Sequence, residues 1–568
     1  MKYYCNPLNV NYRYSIPKKE EGKPQAPSWR EAADPSMICF QGKYYIFASM
    51  SLDVWVSEDM AHWENHRLPD ELPLYDYAPD VRVMGDYVYF CASRIFRNCD
   101  RYRTRDILNG PYEKLPGTFA YWDPNLFADD DGRVYFYWGC SNDAPIYGTE
   151  LDPVTMNPMG ETVEILAGNA GSLGYERIGE ENSIEADTKE AQPYIEGAWV
   201  NKHQGRYYMQ YAFAGTEYNT YGNGVYVSDR PLGPYTLQRN NPYSYHPGGF
   251  FPGAGHGSSM EDRNGSFWHT ATMRISKNHL FERRVGLWPA GFDADGDLFC
   301  NQRYGDWPRR VTDGKQDPWA EPEWMLLSAG KQASASSGEE GHGAELAVQE
   351  NVQTWWRPVT DSREEWLQVD LGQCYDIHAI QINFADEGLY LECRDETKGI
   401  TRFIDDITQQ TQWKLFASAD GEEWFVIEDK SDAQTDLPHD FVVREEEISA
   451  RYLKLTDIKV PYGQVPCVSG LRVFGRGYGE KPLPAEFRAK RAGDLDMDVE
   501  IKSFGKDCAM GYEILWGHDP EKLYHSRTLF GDRVRIGALV KGEAYYVRID
   551  TFNENGITPG TLRSLDCE

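Results

Sequence analysis

The chain has 568 residues, which is too many for one hydrophobic core and predicts three or four domains. Aromatic residues make up 14% of it, beside 52 Gly and 32 Pro, and this composition favours short strands joined by tight turns over a helical protein. The formal charge of −31 opposes binding to phosphate backbones and anionic lipids, so we expect neither nucleic acid nor a membrane surface as a partner.

The cysteines and the N-terminus bear on the cellular compartment. The eleven cysteines are an odd number without CxxC pairs, which is typical of reduced thiols rather than of a disulfide framework. The first residues, MKYYCNPLNVNYRYSIPKK, contain no apolar run of the kind found in signal peptides. The sequence therefore predicts a cytoplasmic protein, or a secreted one if a signal has been trimmed from it.

Five short runs of aromatic and β-branched residues recur in the first 300 residues, each after a Gly or Gly-Asp turn. They are 43–47 (KYYIF), 87–90 (YVYF), 133–137 (RVYFY), 206–210 (RYYMQ) and 266–269 (SFWH). Each run is too short for a helix, and regular repetition of such units is typical of sheets that cannot bury their faces alone. We predict an all-β fold with a five-bladed β-propeller over residues 1–310.

Three acidic residues lie shortly before predicted strands of different blades. Asp34 lies in 30–36 (REAADPS), Asp123 in 122–127 (WDPNLF) and Glu196 in 193–199 (PYIEGAW). Because the first strand of every blade lines the central channel, residues at equivalent starts of the blades converge at one end of its axis. We therefore predict one cluster of three carboxylates in matching repeat positions.

Converging carboxylates repel one another, so that one holds a proton while another stays ionised. Glycoside hydrolysis needs both states, because an acid must protonate the leaving oxygen and a base must activate water. Each residue taken alone also fits a structural role, since Asp-Pro and Glu-Gly are common in turns. The set as a whole favours a glycosidase.

These motifs, in this order and at this spacing, resemble glycoside hydrolase family 43 over residues 1–300. The resemblance implies that Asp34 is the general base, Glu196 the general acid, and Asp123 the residue that orients the acid and modulates its pKa. It also implies that no cofactor is required for the chemistry. Glu196 is followed by Gly-Ala where the family often has Gly-Pro.

The resemblance extends to two residues of the fifth blade. His256 is similar to a histidine near the channel axis that helps hold a cation through water, which implies a structural Ca²⁺ there. Arg283 resembles the arginine that contacts the sugar, although the adjacent Arg284 fits the same description.

Three aromatic residues lie close to the acidic motifs. Tyr77, Trp122 and Trp199 are expected to form the pocket floor against the apolar face of a sugar. Packing between blades explains each of them equally well.

The family's mechanism is a single displacement with inversion. Asp34 would take a proton from water while Glu196 protonates the departing oxygen, which requires carboxyls about 6.5–9.5 Å apart. We expect an exo-acting enzyme that releases a terminal pentose from plant-type oligosaccharides, first of all an α-L-arabinofuranosidase. A β-D-xylosidase or β-D-galactofuranosidase with the same residues is the alternative, and the oligomeric state is left open.

Two further modules are expected behind a Pro- and Trp-rich linker at 311–326. Residues 327–478 resemble a discoidin or coagulation factor 5/8 type C sandwich, through 366–372 (WLQVDLG) and 469–475 (SGLRVFG). This module would either bind carbohydrate or dock against the propeller. Residues 484–568 resemble a fibronectin type III sandwich, through 544–553 (AYYVRIDTFN), with a role as a spacer.

Two other classes of propeller compete with the hydrolase. A non-catalytic, glycan-binding propeller would not need the complete acidic trio. A sialidase-like propeller is suggested by 418–424 (SADGEEW), but this motif falls in the second module, and no arginine triad is apparent.

Overall fold

The computed structural model describes residues 1–74, 77–94, 97–393, 402–502 and 509–565, with only the backbone of Thr118. Within these ranges the regular structure is made of strands and four 3₁₀ turns, so the all-β fold class is confirmed. The 3₁₀ turns are Gly174–Glu176, Glu180–Asn182, Ala344–Val348 and Pro461–Gly463. No helix in the described part of the chain is long and apolar enough to cross a membrane.

Three short strands precede the first blade, and five antiparallel sheets then follow one another along the chain. The preceding strands are β1 (Tyr3–Tyr4), β2 (Arg13–Pro17) and β3 (Trp29–Glu31). Blade I comprises β4 (Ala33–Phe40), β5 (Lys43–Ser49), β6 (Asp53–Ser57) and β7 (Glu64–Arg67). Blade II comprises β8 (Tyr77–Met84), β9 (Tyr87–Ser93), β10 (Cys99–Thr104) and β11 (Glu113–Phe119).

The other three blades repeat this up-and-down order, with one extra strand in blade IV. Blade III comprises β12 (Asn125–Ala128), β13 (Val134–Trp138), β15 (Ile146–Leu151) and β16 (Val163–Leu166). Blade IV comprises β14 (Cys140–Ser141), β17 (Ile195–His203), β18 (Arg206–Phe213), β19 (Gly222–Ser228) and β20 (Thr236–Leu237). Blade V comprises β21 (Gly255–Glu261), β22 (Phe267–Arg274), β23 (Arg283–Phe292) and β24 (Leu298–Cys300). The five sheets confirm the five-bladed propeller.

The five runs predicted from the sequence all lie in strands, but each is the second strand of its blade. The inner strands are β4, β8, β12, β17 and β21, which contact one another around the channel. Second strands are buried on both faces, so they are continuously apolar, whereas the inner strands carry polar residues toward the channel. Asp34 and Glu196 therefore lie within inner strands, and Asp123 lies two residues before one.

Hydrogen bonds between neighbouring inner strands form a ring around the channel. Each of them joins a side chain of one blade to the backbone of the next, and the atoms involved are buried. The bonds run from Val81 N to Ser36 Oγ (3.0 Å), Leu126 N to Asp80 Oδ2 (2.7 Å), Val200 N to Asn125 Oδ1 (3.0 Å), Trp199 Nε1 to Ser259 O (3.0 Å) and Met37 N to Ser258 Oγ (2.8 Å). The last bond closes blade V onto blade I.

The second module is a sandwich built from one hydrogen-bonded sheet. After β25 (Arg309–Arg310), which pairs with β1, its strands are β26 (Met325–Leu326), β27 (Gln332–Ala335), β28 (Trp366–Ala385), β30 (Gln412–Ser418), β31 (Phe425–Asp429), β32 (His439–Lys459) and β33 (Cys467–Arg476). Register shifts in the long strands β28 and β32 let the sheet bend around a core that includes Trp356 and Trp413. The remaining strand, β29 (Arg402–Ile404), leaves this sheet and pairs with β2.

The last part of the chain forms two small sheets whose core continues into the propeller. One contains β34 (Glu486–Arg491), β35 (Met497–Lys502) and β38 (Arg533–Ile536). The other contains β36 (Gly511–Gly517), β37 (His525–Leu529), β39 (Tyr546–Asn553), β40 (Gly556–Thr558) and β41 (Arg563–Ser564). Trp516 and Met497 share one apolar cluster with Phe127 and Tyr207 of blades III and IV. The fibronectin type III resemblance of this part stays a prediction.

Gly174 marks a close approach between the backbones of the propeller and the last module. It lies in an insertion, residues 167–194, between β16 and β17, and its N–H donates to the carbonyl oxygen of Leu539 at 2.8 Å. A Cβ at Gly174 would lie 2.5 Å from the carbonyl oxygen of Gly537 and 2.7 Å from that of Leu539. Only glycine fits between these backbone atoms.

We expect Gly174→Ala to lower the free energy of unfolding by about 1–3 kcal/mol, because the backbone must move to admit the methyl group. Gly171→Ala is the matched control, since a Cβ at Gly171 meets no atom within 4 Å. Urea unfolding followed by tryptophan fluorescence measures both variants. Equal unfolding midpoints for the two would contradict the close contact.

Candidate active site

One residue at the start of the inner strand in each blade has a left-handed backbone. These residues are Asp34 (φ 51°), Ala78 (φ 51°), Asp123 (φ 48°), Gly197 (φ 61°) and His256 (φ 36°). In four blades the register between the inner and second strands shifts at this point, as it does at a β-bulge. The repeated bulge directs one residue of each blade toward the same end of the channel.

The three predicted acids do not occupy matching repeat positions, which corrects that expectation. Asp34 and Asp123 are the left-handed residues of their blades, whereas Glu196 comes one residue before Gly197. A Cβ at Gly197 would lie 2.7 Å from Cγ of the His256 ring, so glycine is required there. His256 fills the space beside Gly197, and the acid of blade IV is therefore presented from the preceding position.

A pocket of about 530 Å³ lies at this end of the channel. Residues of all five blades line it, and so does the insertion 167–194, through Ile178 and Tyr194. Seven of the eight residues that the sequence predicted for the site contribute to the lining: Asp34, Tyr77, Trp122, Asp123, Glu196, His256 and Arg283. The fold thus brings together residues that lie far apart along the chain.

Asp34 is surrounded by groups that favour its ionised form. Its Oδ2 accepts a hydrogen bond from Ser49 Oγ at 2.8 Å, and Arg283 Nη1 lies 3.3 Å from its Oδ1. Burial by itself would raise the pKa of Asp34, but Arg283, His256 and the Ser49 hydroxyl outweigh burial and lower the pKa below its ordinary value. Asp34 is therefore a carboxylate at neutral pH.

Asp123 is as buried as Asp34, with 5% of each residue exposed, yet its environment acts in the opposite direction. Burial raises the pKa of Asp123 well above its ordinary value, and the neighbouring charges of Glu196 and Asp34 raise it further. The two aspartates of the pocket are thus shifted in opposite directions, Asp34 toward its ionised form and Asp123 toward its protonated form.

Two hydrogen-bond donors hold the carboxyl group of Glu196. Tyr221 OH donates to Oε1 at 2.5 Å, and the thiol of Cys140, the strand partner of Glu196, donates to Oε2 at 3.0 Å. Burial raises the pKa of both donors well above their ordinary values, so each keeps its proton at neutral pH. An oxygen of Asp123, the sulfur of Cys140 and an oxygen of Glu196 lie within 4.8 Å of one another, which makes the thiol a bridge between the two carboxyls.

Arg283 and Arg284 point to opposite sides of their strand. Arg283 lines the pocket beside Asp34 and also donates to Glu31 Oε1 at 2.7 Å. Arg284 donates to His439 Nε2 at 2.9 Å in the second module. The alternative that Arg284 contacts the sugar is therefore not supported, because its side chain lies outside the pocket.

His256 lies between two of the carboxylates. Its Nδ1 is 3.5 Å from Asp34 Oδ1 and 3.6 Å from Asp123 Oδ2. Calcium takes six to eight oxygen ligands, whereas here a ring nitrogen and Arg283 face the oxygens of Asp34. These residues do not fit a calcium ion between His256 and the two carboxylates, and the predicted Ca²⁺ near the axis stays a prediction without a role in the chemistry below.

Two of the three predicted aromatic residues line the pocket, and the third takes part in the ring of hydrogen bonds around the channel. Tyr77 and Trp122 line the pocket, and their rings lie 5.9 Å apart. Trp199 is only 4% exposed, and its ring is covered by Arg82 at 3.4 Å. Trp199 therefore does not reach the pocket, contrary to expectation, because its indole N–H is used in the ring around the channel.

Several pocket residues were not predicted from the sequence. Cys140 lines the pocket and holds Glu196 together with Tyr221, which lies outside the lining. Glu190 and Glu217 add two further carboxyls to the pocket wall, and burial raises the pKa of Glu217. Their neighbours along the chain match no catalytic motif. The sequence offered one signal for Cys140, because this residue follows the predicted run 133–137 by three residues and lies at the start of a strand.

Comparison with protein families agrees with two of the three resemblances drawn from the motifs. Residues 29–298 match the model of glycosyl hydrolases family 43, and residues 332–392 match that of the F5/8 type C domain. The chain therefore carries a family 43 domain, which spans all five blades, and an F5/8 type C domain behind it. The first match identifies the propeller as a glycoside hydrolase domain.

Curated relatives are similar to part of the chain. A β-D-galactofuranosidase of Aspergillus niger is 25% identical in a match of 252 residues that covers 38% of this chain and 65% of the relative. An arabinoxylan arabinofuranohydrolase of Paenibacillus polymyxa is 33% identical over 141 residues, 23% of this chain and 20% of the relative. The chain thus spans less than two thirds of the length of these relatives. A xylosidase/arabinosidase of Humicola insolens is 26% identical, over 36% of this chain and 78% of the relative.

Solved structures resemble the chain only in part. A glycoside hydrolase covers 78% of this chain with 97% of its own, at 16% identity and a TM-score of 0.43. A thermostable family-43 glycoside hydrolase covers 56% of this chain with all of its own, at 20% identity and a TM-score of 0.42. The propeller is therefore established here by its own strands.

The opposite environments of the two aspartates predict opposite effects on stability. The folded pKa of Asp123 lies above the unfolded value of about 3.9, so its stabilising contribution is lost as pH rises through the folded pKa. The folded pKa of Asp34 is depressed, so its contribution is present above the unfolded value and is lost as pH falls. Each unit of difference between the folded and unfolded pKa is worth about 1.4 kcal/mol.

We expect Asp123→Asn to become more stable relative to the wild type as pH rises from 4 to 7, and Asp34→Asn to become less stable over the same range. The two variants are matched, because both replace an equally buried aspartate with an amide of the same shape. Urea unfolding at several pH values measures the differences. If both variants change in the same direction with pH, the assigned protonation states are wrong.

Proposed function

We propose that this protein is an inverting, exo-acting glycoside hydrolase that releases a terminal pentose from short plant-type oligosaccharides, first of all as an α-L-arabinofuranosidase. One observation carries the proposal: two equally buried carboxyls of one pocket, Asp34 and Asp123, have pKa values shifted in opposite directions, and the one with the raised pKa lies beside Glu196. A glycosidase needs an ionised base and a proton-holding acid within one site. The family 43 match of the propeller supports the same reaction class.

In this proposal Asp34 is the general base. It removes a proton from a water molecule as the water oxygen bonds to the anomeric carbon and the glycosidic bond on the opposite face breaks. The hydrogen bond from Ser49 fixes the carboxylate, and Arg283, 3.3 Å away, keeps it ionised before the reaction. Arg283 is also placed to contact a hydroxyl group of the bound sugar.

Glu196 is the proposed general acid, which protonates the departing glycosidic oxygen. Tyr221 and Cys140 hold its two oxygens and so fix its rotamer. Asp123 lies within 4.8 Å of it, and in this proposal the two carboxyls share one proton, which is on Glu196 when the glycosidic oxygen departs. The acid side of the reaction thus depends on a carboxyl pair that shares protons rather than on Glu196 alone.

The substrate proposal draws on the relatives and on the pocket. The names of the relatives cover arabinofuranosides, xylosides and a galactofuranoside, so similar propellers act on several five-carbon and furanose sugars. Tyr77 and Trp122 offer ring faces that suit the apolar side of a sugar. We propose arabinofuranosides first, together with the further proposal that the enzyme is cytoplasmic and acts on short imported oligosaccharides.

A panel of nitrophenyl glycosides tests the proposal: α-L-arabinofuranoside, β-D-xyloside and β-D-galactofuranoside. We expect the arabinofuranoside to have the highest kcat/KM, and proton NMR of the first product to show the inverted anomer. A higher kcat/KM for one of the other two glycosides would replace the substrate. Binding of arabino-oligosaccharides without any release of reducing sugar would favour the non-catalytic, glycan-binding alternative.

Replacing the acid should have an effect that depends on the leaving group. We expect Glu196→Gln to lower kcat by about 10²–10⁴-fold on natural oligosaccharides, and far less on a dinitrophenyl glycoside, whose leaving group needs no protonation. Steady-state kinetics on both substrates measure the ratio. Glu217→Gln is the matched control, since it changes a carboxyl on the same pocket wall; a similar dependence on the leaving group in that variant would exclude Glu196 as the acid.

The activity lost with the base should be restored by an external nucleophile that does not need to be deprotonated. We expect Asp34→Ala to be inactive in water and to regain turnover with azide, because azide attacks the anomeric carbon without losing a proton. The product expected is the glycosyl azide of inverted configuration, with the leaving oxygen protonated by Glu196. NMR of the azide product measures this; rescue of Glu196→Gln by azide instead of Asp34→Ala would reverse the two roles.

A further inference from the structure

A strand of the second module reaches behind the catalytic pocket. β29 pairs with β2, which in turn pairs with β3, so the second module adds one strand to the N-terminal segment of the propeller. The first residue of β29 is Arg402, which is only 5% exposed, and the last residue of β3 is Glu31, which is fully buried. This small sheet places a cation of one module beside an anion of the other.

The two residues form part of a buried group of four charges, which we call the charge quartet: Glu31, Asp34, Arg283 and Arg402. Arg402 Nη2 donates to Glu31 Oε1 at 3.1 Å, and Arg283 Nη2 donates to the same oxygen at 2.7 Å. Arg283 Nη1 then reaches Asp34 Oδ1 at 3.3 Å. With two cations and two anions, the quartet is formally neutral, and each of its members is at most 5% exposed.

Arg402 also supports the aromatic wall of the pocket. Its guanidinium carbon lies 5.1 Å from the ring centres of Tyr77 and Phe281, both of which line the pocket. On its other side it lies 5.6 Å from the ring of Trp29. A guanidinium packed between rings in this way is stabilised by cation–π attraction and holds the rings in place.

We infer that Arg402 is a positioning residue for hydrolysis: the second module completes the active site by fixing Glu31, and through Glu31 the orientation of Arg283 against Asp34 and the bound sugar. The inference rests on the proposed function and deepens it, because it assigns a residue outside the family 43 domain to the same site. It also gives the second module a role other than the carriage of a separate sugar-binding site.

The physical reason is charge balance in a buried place. Without Arg402 the remaining three members of the quartet carry a net negative charge, and removal of one partner from a buried ion pair leaves its counter-charge uncompensated. Arg283 would then be drawn toward Glu31, and Asp34 would lose part of the field that keeps it ionised. A lysine at this position would restore the charge but not the planar fork that grips Glu31 and stacks on the rings.

Several other groups contribute to the electrostatic field at Asp34, so a measured pH profile reflects all of them. The charged and titratable groups that face it are Arg283, Arg402, His256, Asp123, Cys140 and Tyr221. Arg402 lowers the pKa of Asp34 less than Arg283, His256 and Ser49 do, so its removal should shift the acid limb of activity without abolishing it.

The test compares Arg402→Gln with Arg402→Lys in the full-length protein, using the nitrophenyl glycoside that the wild type cleaves best. For Arg402→Gln we expect KM to rise by about tenfold and the acid limb of kcat/KM to move up by about 0.5–1 pH unit. For Arg402→Lys we expect the raised KM with the acid limb close to the wild-type position. The acid limb would then respond only to the charge at position 402, whereas KM would respond to the shape of the side chain. A residue with only a structural role would not separate these two readouts.

A control and a double variant keep the test decisive if Arg402→Gln folds poorly. Arg13→Gln is the control, because Arg13 also joins the propeller to the second module, through Asp53 and the carbonyl oxygen of Asp405, but lies outside the pocket lining. In Glu31→Gln/Arg402→Gln the two remaining charges balance, so we expect this variant to unfold at higher urea than Arg402→Gln alone and to regain part of the acid limb.

The outcomes separate the inference from the function on which it rests. A wild-type protein inactive on every glycoside would refute the function, and the double-variant comparison of stability would still test the quartet. Active Arg402→Gln enzyme with an unchanged pH profile and KM would overturn the inference. So would an equal shift of the acid limb in Arg13→Gln, or a double variant no more stable than Arg402→Gln.

Discussion

The left-handed residue at the channel end of each inner strand is the constraint on which the site depends. Such a backbone costs about 1–3 kcal/mol for a residue other than glycine, and here four of the five blades carry one. The cost is met by contacts around it, such as the bond from Asp34 N to Thr272 Oγ1 at 2.8 Å in the neighbouring blade. In return, each bulge turns one side chain out of its sheet and toward its counterparts.

What these side chains do then depends on their partners rather than on their burial. Asp34 and Asp123 have the same exposure and the same backbone geometry, and both face other carboxylates. Asp34 has Arg283 and Ser49 against it, whereas Asp123 has Glu196 and a neutral thiol. The two pKa values shift in opposite directions because Arg283, His256 and Ser49 act together on Asp34, whereas burial and the charges of Glu196 and Asp34 raise the pKa of Asp123. Low-dielectric surroundings strengthen these effects.

The three modules are joined by buried ionic contacts and shared cores rather than by flexible connections. Arg472 of the second module donates to the carbonyl oxygen of Asp306 of the propeller at 2.7 Å, next to the predicted linker, and is held by Glu350 of its own module at 2.8 Å. Arg177 of the propeller insertion binds Asp496 of the last module at 2.7 Å, beside Ile178 of the pocket lining. Because both modules support walls of one pocket, changes far from the acids are expected to reach the chemistry.

The sequence by itself determined the all-β class, the blade repeat and most of the site. Alternating turns and aromatic runs revealed the five blades, and the acids Asp34, Asp123 and Glu196 were found because each lies in a short motif near a strand. These features are local, since they depend on strand propensity and on turns formed by neighbouring residues. For the same reason the apolar runs indicated the doubly buried second strands more strongly than the polar inner ones.

Only the tertiary structure decided which side chains face one another. Trp199 lies in the ring of hydrogen bonds around the channel instead of in the pocket, and Glu196 lies one residue before the position that Asp34 and Asp123 take in their blades. Both differences depend on a register shift of one residue, because side chains of a strand alternate between its faces. The partners that tune the acids come from elsewhere in the chain: Cys140 and Tyr221 from other segments of blade IV, and Arg402 from the second module. Their roles arise from through-space distances of a few ångströms between distant segments, and no local pattern in the chain records those distances.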